Sequence, residues 1–221
     1  MSSDDAFRPT AEAVTAALAD AFADDPWARY ALGSPGHRRQ RALARLMSVP
    51  VSCARLWGGV VATPFEASDD RVDTGGSATH RRGQVAAVGA WVPASARHVG
   101  LRTALRVHAL SLPFEVGFST MGRLRRDDAE VTRILDAHLT DRDAYLWVLG
   151  VRRTAQGRGM GRRIVDRVLS DAAASGHRRI VLHTDTSGNV EIYRRMGFTL
   201  VDEQMRDSQL RCHVLAMQIG G

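Results

Sequence analysis

Apolar residues recur at helical spacing over residues 10–25, where Val14, Ala17, Leu18, Ala21 and Phe22 fall on one stripe. Thr10 and Glu12 suit the first turn of that helix, and Asp24-Asp25-Pro26 stops it. A second helix is predicted from His37 to Val49, with Leu43, Leu46 and Met47 inward, four arginines (Arg38, Arg39, Arg41, Arg45) outward, and Pro50 as its end. Leu56–Thr63 and Val85–Val92 read as two strands that pair across residues 64–84, a polar stretch predicted to be an exposed loop. Residues 95–140 look helical again. Leu101, Leu105, Val107 and Leu110 suggest one helix; Asp127-Asp128 suits the cap of another, with Val131, Ile134, Leu135 and Leu139 inward. Phe114–Phe118 fits neither period.

The last eighty residues have the clearest pattern. Ala144–Val151 is an apolar strand, Arg152–Gly161 a glycine-rich turn, and Gly161–Ser175 a helix that presents Ile164, Val165, Val168, Leu169 and Ala172 on one face. Gly176 stands where a helix-ending glycine belongs. Arg179–Asp185 is a strand, Asn189–Met196 a short helix closed by Gly197, and Phe198–Met205 with Leu210–Ile219 a hairpin. This order predicts one mixed α/β domain over residues 1–221, built on a central, mostly antiparallel sheet of six to seven strands with helices on both faces. Strands 144–151 and 179–185 are expected to be parallel neighbours, because a strand–helix–strand crossover joins them.

Composition narrows the chemistry. The chain has 221 residues and a net charge of +6, and all thirty basic residues are arginine. Without lysine there is no lysine nucleophile, Schiff base or P-loop lysine. Abundant alanine and arginine without lysine suits a GC-rich bacterial genome. The apolar runs are strand-sized, far short of a membrane span. Met1-Ser2-Ser3-Asp4-Asp5 lacks the basic and apolar regions of a signal peptide, and Cys53 and Cys212 form no CxxC, so a cytoplasmic location with buried thiols is expected. No metal site is expected.

The turn between strand and helix carries the candidate chemistry. Gly157, Gly159 and Gly161 let the backbone bend, and the following helix adds unpaired N–H groups and a positive dipole end. Together they form a cradle for a phosphate or pyrophosphate, with Arg158, Arg162 and Arg163 around it. It is not a Walker A loop, and a GxGxxG loop starting at Gly157 would need glycine where Arg162 stands.

Gln156-x-x-Gly159-x-Gly161 after the strand LWVLGV resembles motif A of the GCN5-related N-acetyltransferases (GNAT). Asn189-x-x-x-Tyr193-x-x-x-Gly197-Phe198 resembles the second motif of that family, and Ala21–Pro26 resembles the first-helix ending of the subgroup that contains puromycin N-acetyltransferase. The resemblance implies a GNAT-like fold whose parallel strands splay to admit acetyl-CoA, with no metal. It implies that Leu149, Gly150 and Val151 pair with the pantetheine arm, and that Gln156, Gly157, Arg158, Gly159, Met160, Gly161 and Arg162 hold the pyrophosphate. Asn189 would touch the cofactor arm, and Tyr193 would protonate the leaving thiolate. A tyrosine is protonated at neutral pH and suits that task. A strand N–H, that of Leu149, suits the developing oxyanion.

The general base is left open. Puromycin-type relatives carry glutamate at the position of His183, and histidine can take up a proton near pH 7; His138 and Glu115 are further candidates, and a neutral amine needs no base. Residues 95–140 and 37–49 are expected to form the acceptor pocket, with Trp27, Trp57, Trp91, Phe114 and Phe118 as candidate lining. The expected activity is acetyl transfer to a primary amine of a small molecule, by a monomer or homodimer with no membrane or specific nucleic-acid partner. The alternatives are a protein or peptide N-acetyltransferase, and a non-catalytic arginine-rich module that binds nucleic acid through Arg123, Arg125 and Arg126. No helix-turn-helix, zinc or RNP pattern accompanies that cluster.

Overall fold

The computed structural model describes residues 7–33, 36–65 and 84–219. Most of the predicted 64–84 loop lies outside the described residues. Helix α1 (Ala11–Ala21) begins at Thr10, whose hydroxyl accepts from Ala13 N at 3.2 Å. The turn that stops it also starts another helix: Asp25 accepts from Trp27 N at 2.8 Å and caps α2 (Pro26–Leu32).

Helix α3 (His37–Trp57) corrects the predicted stop at Pro50. Proline removes one helical hydrogen bond. Val51, Cys53 and Ala54 nevertheless continue the buried stripe of Leu43, Leu46 and Met47, and that packing carries the helix through. Leu56 and Trp57 are therefore helical, and strand β1 is Gly59–Pro64. The change of direction falls at Gly58, where a Cβ would lie 2.0 Å from the Trp91 carbonyl oxygen.

Strand β2 (Val85–Pro93) pairs antiparallel with β1, as expected. Residues 95–140 are helical but more broken than predicted. They form α4 (Leu101–Arg106), α5 (Leu112–Val116) and α6 (Phe118–Asp136), and His108 takes a left-handed φ of 55° after α4. Asp127 and Asp128 do not cap a helix; they lie inside α6.

The remaining elements follow the predicted order: β3 (Ala144–Val151), α7 (Met160–Ala174), β4 (Arg179–Thr184), α8 (Ser187–Arg195), β5 (Thr199–Met205) and β6 (Arg211–Gln218). The six strands form one sheet in the order β1-β2-β3-β4-β6-β5, and only β3 and β4 are parallel.

Each face of the sheet has its own core. On the first face α1, α3 and α6 cover Val88, Ala90, Val92, Tyr145, Val181 and Val214. On the second, α7 and α8 cover Ala87, Trp91, Leu146, Ile180, Leu182 and Leu215. Glycines permit the close approach: a Cβ on Gly150 would meet Leu18 of α1 at 2.8 Å, and one on Gly89 would meet Ile164 of α7 at 2.6 Å.

Candidate active site

The parallel pair is short. Its register runs Ala144↔Ile180, Tyr145↔Val181 and Leu146↔Leu182, and then the strands part. A bulge lies at the same place. Ala90 faces Val148 and Trp91 faces Leu146, so Trp147 is an extra residue in β3. Bulges bend a strand and sharpen its twist, and this one turns the end of β3 away from β4.

Beyond the bulge, one edge of β3 is left without a strand partner. Arg152 N donates to Ala86 O at 2.8 Å, so that amide faces β2. Strand alternation then turns the N–H and C=O groups of Leu149 and Val151 the other way, into the opening. The Val151 carbonyl is taken by Gln156 Nε2 at 3.1 Å, which pins the loop to the strand end. The Leu149 amide thus faces the gap, the placement expected of an oxyanion donor.

The glycine loop closes one end of this opening. Gly157 and Gly159 have φ of 76° and 75°, a left-handed conformation that glycine adopts freely. Gly159 is also the N-cap of α7 and has no side chain to satisfy its first turn. A Cβ on Gly157 or Gly159 would meet nothing within 4 Å, so space lies beside the backbone. Exposed N–H groups, a helix N-terminus and open space suit a pyrophosphate. The loop is anchored to α1 through Arg153, whose backbone N donates to Asp20 at 3.0 Å and whose guanidinium donates to Asp24 at 3.1 Å. The Arg162 side chain does not join the cradle; it donates to Arg195 O at 3.2 Å and lies 3.6 Å from Asp166.

His183 and Tyr193 lie on opposite faces of the sheet. His183 follows Leu182, the last paired residue of β4, and alternation puts it on the first face, beside Tyr145. The Tyr145 hydroxyl lies 2.8 Å from His183 Nδ1, and the two rings stack at 12°. Burial pushes the His183 pKa below 6.5; the Asp185 carboxylate opposes this and the Arg206 guanidinium adds to it. The imidazole is therefore neutral at pH 7, as a base must be. Tyr193, on α8, is buried in the second core and packs edge-on against Phe198 at 5.6 Å. Burial pushes its pKa well above 10, so the phenol keeps its proton. Asn189 Nδ2 donates to Thr184 Oγ1 at 3.1 Å and ties α8 to the end of β4.

The other candidates lie elsewhere. His138 pairs with Asp202 at 2.8 Å, and its carbonyl accepts from Arg179, the first residue of β4, at the sheet end opposite the opening. Glu115 is bound by Arg45 at 2.5 Å and by Ser111; these hydrogen bonds hold its pKa down to about 2, far too acidic for a base. Trp91 is not a pocket residue. It is 2% exposed in the second core, and its indole donates to Asp171 at 2.8 Å. Trp57 packs against the first core, Trp27 is half-buried in the first turn of α2, and Phe114 and Phe118 are exposed and meet edge-on. Arg123, part of the basic cluster, instead donates to Ala31 O at 2.9 Å and joins α6 to α2.

Several residues of the site were not singled out from the sequence. Tyr145 is one; its pairing with His183 depends on the register of two strands distant in the chain. Arg206 is another. It is buried between Asp127 of α6 and Asp185 at the end of β4, at 2.7 and 2.6 Å. Cys53 and Cys212 are buried free thiols, as expected, and burial pushes their pKa up to about 11 and about 12. Among the described residues, no helix is long and apolar enough to cross a membrane.

Comparison with known proteins agrees with this geometry. Residues 116–198 match the acetyltransferase (GNAT) family. The fold is similar over 95% of the chain to the C-terminal condensation domain of Ebony in complex with beta-alanyl-dopamine (9% identity, 94% of that chain, TM-score 0.61). It is similar over 96% to a polyamine N-acetyltransferase of Drosophila melanogaster (11% identity, 98% of that chain, TM-score 0.55). A local match to nourseothricin acetyltransferase has 21% identity and a TM-score of 0.34; it covers 36% of this chain and about half, 51%, of that one. No curated protein matches. The sheet order and the parted parallel strands agree with the match of residues 116–198 to the acetyltransferase (GNAT) family.

Proposed function

We propose that the protein transfers the acetyl group of acetyl-CoA to a primary amine of a small molecule. The observation that carries this reading is the opening between β3 and β4, where an unpaired strand edge leads to a glycine cradle at the N-terminus of α7. Leu149 to Val151 would receive the pantetheine arm, and the backbone from Gln156 to Arg162 the pyrophosphate. Asn189 would act through Thr184, setting the distance between α8 and the opening.

Bound acetyl-CoA supplies the acyl group as a thioester. The Leu149 N–H donates to the carbonyl oxygen as negative charge grows there. His183 Nε2 takes the proton that the attacking amine must lose, provided Nδ1 carries the hydrogen shared with Tyr145. Tyr193 gives its proton to the departing sulfur and recovers one from solvent. Base and acid approach from opposite faces, which keeps amine and thiolate apart.

A small-molecule acceptor, as in the puromycin-type subgroup, is supported by Ala21–Pro26 and by the broken helices α4 to α6 beside the first face. The two free thiols suit a cytoplasmic location. Titration calorimetry with acetyl-CoA, followed by a panel of amines read by release of CoA thiol, tests the proposal. Acetyl-CoA binding with amine-dependent thiol release is expected; no binding would sink it.

A further inference from the structure

Asp25, Asp127, Asp128 and Asp185 gather beside His183 at the C-terminal end of β4. Asp185 follows Thr184, the last residue of β4, and stands two residues after His183, so strand alternation sets both on the first face. Asp127 of α6 shares the Arg206 guanidinium with Asp185, at 2.7 and 2.6 Å. Asp128 is the next residue of α6 and is exposed, so the cluster reaches solvent from that side. Arg123 of α6 donates to Ala31 O in the last turn of α2; the start of α2, with Asp25, lies further along α6 and feels the charges of Asp185 and Arg206.

The cations present do not balance this. Arg206 is taken by Asp127 and Asp185, and neither Asp25 nor Asp128 has an ion pair among the described residues. His98 acts on Asp128, but burial and Arg97 push its pKa below 6.5 and leave it neutral at pH 7. Burial and neighbouring carboxylates raise the pKa of Asp25, Asp127 and Asp128, as happens where negative charge exceeds its counterions. The excess stands out in a chain whose net charge is +6.

Asp185 supplies an independent sign that a partner is missing. Its side chain is 7% exposed, Oδ2 rests on Arg206, and Oδ1 is buried without a hydrogen bond. A buried carboxylate oxygen without a donor is costly. The charges coupled to it include those of Asp25, Asp127 and His183, so the orphaned oxygen belongs to the cluster. β4 parts from β3 after Leu182, which sets Asp185 at the edge of the opening.

We propose that this cluster binds a second cationic group of the acceptor, and that the acceptor is a diamine or polyamine. Given the opening as an acetyl-transfer site, on which this rests, the amine to be acetylated stands at His183. An ammonium further along the same molecule docks against Asp185 and Asp128 and donates to the Asp185 oxygen that lacks a partner. An ammonium has three donors and a compact charge. It keeps its proton and takes no part in the transfer. A monoamine leaves the orphaned oxygen as it is, and an amino acid brings a carboxylate that the cluster repels.

The test uses the full chain with 1,4-diaminobutane, and with butylamine and 4-aminobutanoate as controls at matched ionic strength. The diamine is expected to raise the melting temperature of the wild type more than either control, and to lose that advantage in Asp185→Asn. Asp185→Asn also loosens Arg206, so Asp128→Asn, at an exposed position, repeats the measurement with that ion pair intact. Equal shifts from diamine and butylamine, or an advantage unchanged in both variants, would overturn the proposal. In the thiol assay, kcat/KM for the diamine is expected to exceed that for butylamine about tenfold or more, the scale of one hydrogen bond to a charged group, with the difference in KM. Turnover of both amines at equal kcat/KM would overturn the diamine acceptor and leave acetyl transfer standing. Asp185-dependent stabilisation by the diamine, in a protein that does not bind acetyl-CoA, would keep the cation site and overturn acetyl transfer instead.

Discussion

Burial acts alike on Tyr193 and His183, the proposed acid and base. The phenol is held protonated and the imidazole neutral, each because burial disfavours its charged form. Tyr193→Phe keeps the ring and its contact with Phe198. The turnover number is expected to fall about 100-fold or more with acetyl-CoA affinity unchanged; equal rates would make Tyr193 a packing residue. His183 gives a pH signature. Its folded pKa lies below 6.5, so turnover should hold constant down to about that value and fall only below it. The sign for stability is the same. Below pH 6.5 the unfolded chain binds the proton first, so this contribution is complete above 6.5 and is lost as pH falls through the lower folded value. A pH–rate profile whose acid limb lies at or above pH 6.5, or one unchanged in His183→Ala, would remove His183 as the base.

At the scale of elements, the strand–loop–helix of β3 and α7 carries most of the proposed cofactor chemistry. Its legibility came from local rules: a continuous apolar strand, glycines at the bend and an amphipathic helix after it. Gly159→Asp puts a carboxylate where the loop N–H groups face phosphate, in a position with open space but a left-handed φ of 75°. Acetyl-CoA affinity should fall at least tenfold, a loss of about 1.4 kcal/mol in binding, while the far-ultraviolet circular dichroism stays that of the wild type. Unchanged affinity would refute the pyrophosphate assignment. Local rules failed where tertiary packing outweighed them. Pro50 reads as a helix end, but burial of Val51, Cys53 and Ala54 continues α3. Asp127-Asp128 reads as a cap, yet Asp127 sits mid-helix because Arg206 and Ser208 receive its carboxylate.

Across the whole molecule, helix α6 is tied to the sheet by a few buried polar contacts. Arg206 is the main one, joining α6 to the ends of β4 and β5 through Asp127 and Asp185. Its contact with Asp185 is a close ion pair in which Asp185 Oδ1 is left without a hydrogen bond. Arg206→Met would leave two buried carboxylates uncompensated. A loss of about 3–5 kcal/mol in denaturant unfolding is expected, the usual result of removing one partner from a buried ion pair. A loss below about 1 kcal/mol would show that α6 is held by its apolar stripe alone.

The residues by themselves determined the order of elements over 144–219 and the parallel relation of β3 and β4. Period and turn chemistry act over a few neighbours, and a crossover helix permits little else. They also marked Gly157, Gly159 and Gly161 by spacing, while Asn189 and Tyr193 were marked by the family resemblance. What only the tertiary structure decided is how distant segments meet. The bulge at Trp147, the pairing of Tyr145 with His183 and the separation of His138 from the opening depend on strand register, which side chains set across the sheet rather than along the chain. The Asp127–Arg206–Asp185 contact and the burial of Arg39 without a hydrogen-bond partner depend on helix packing, because a charge reads as exposed in a sequence until the fold buries it.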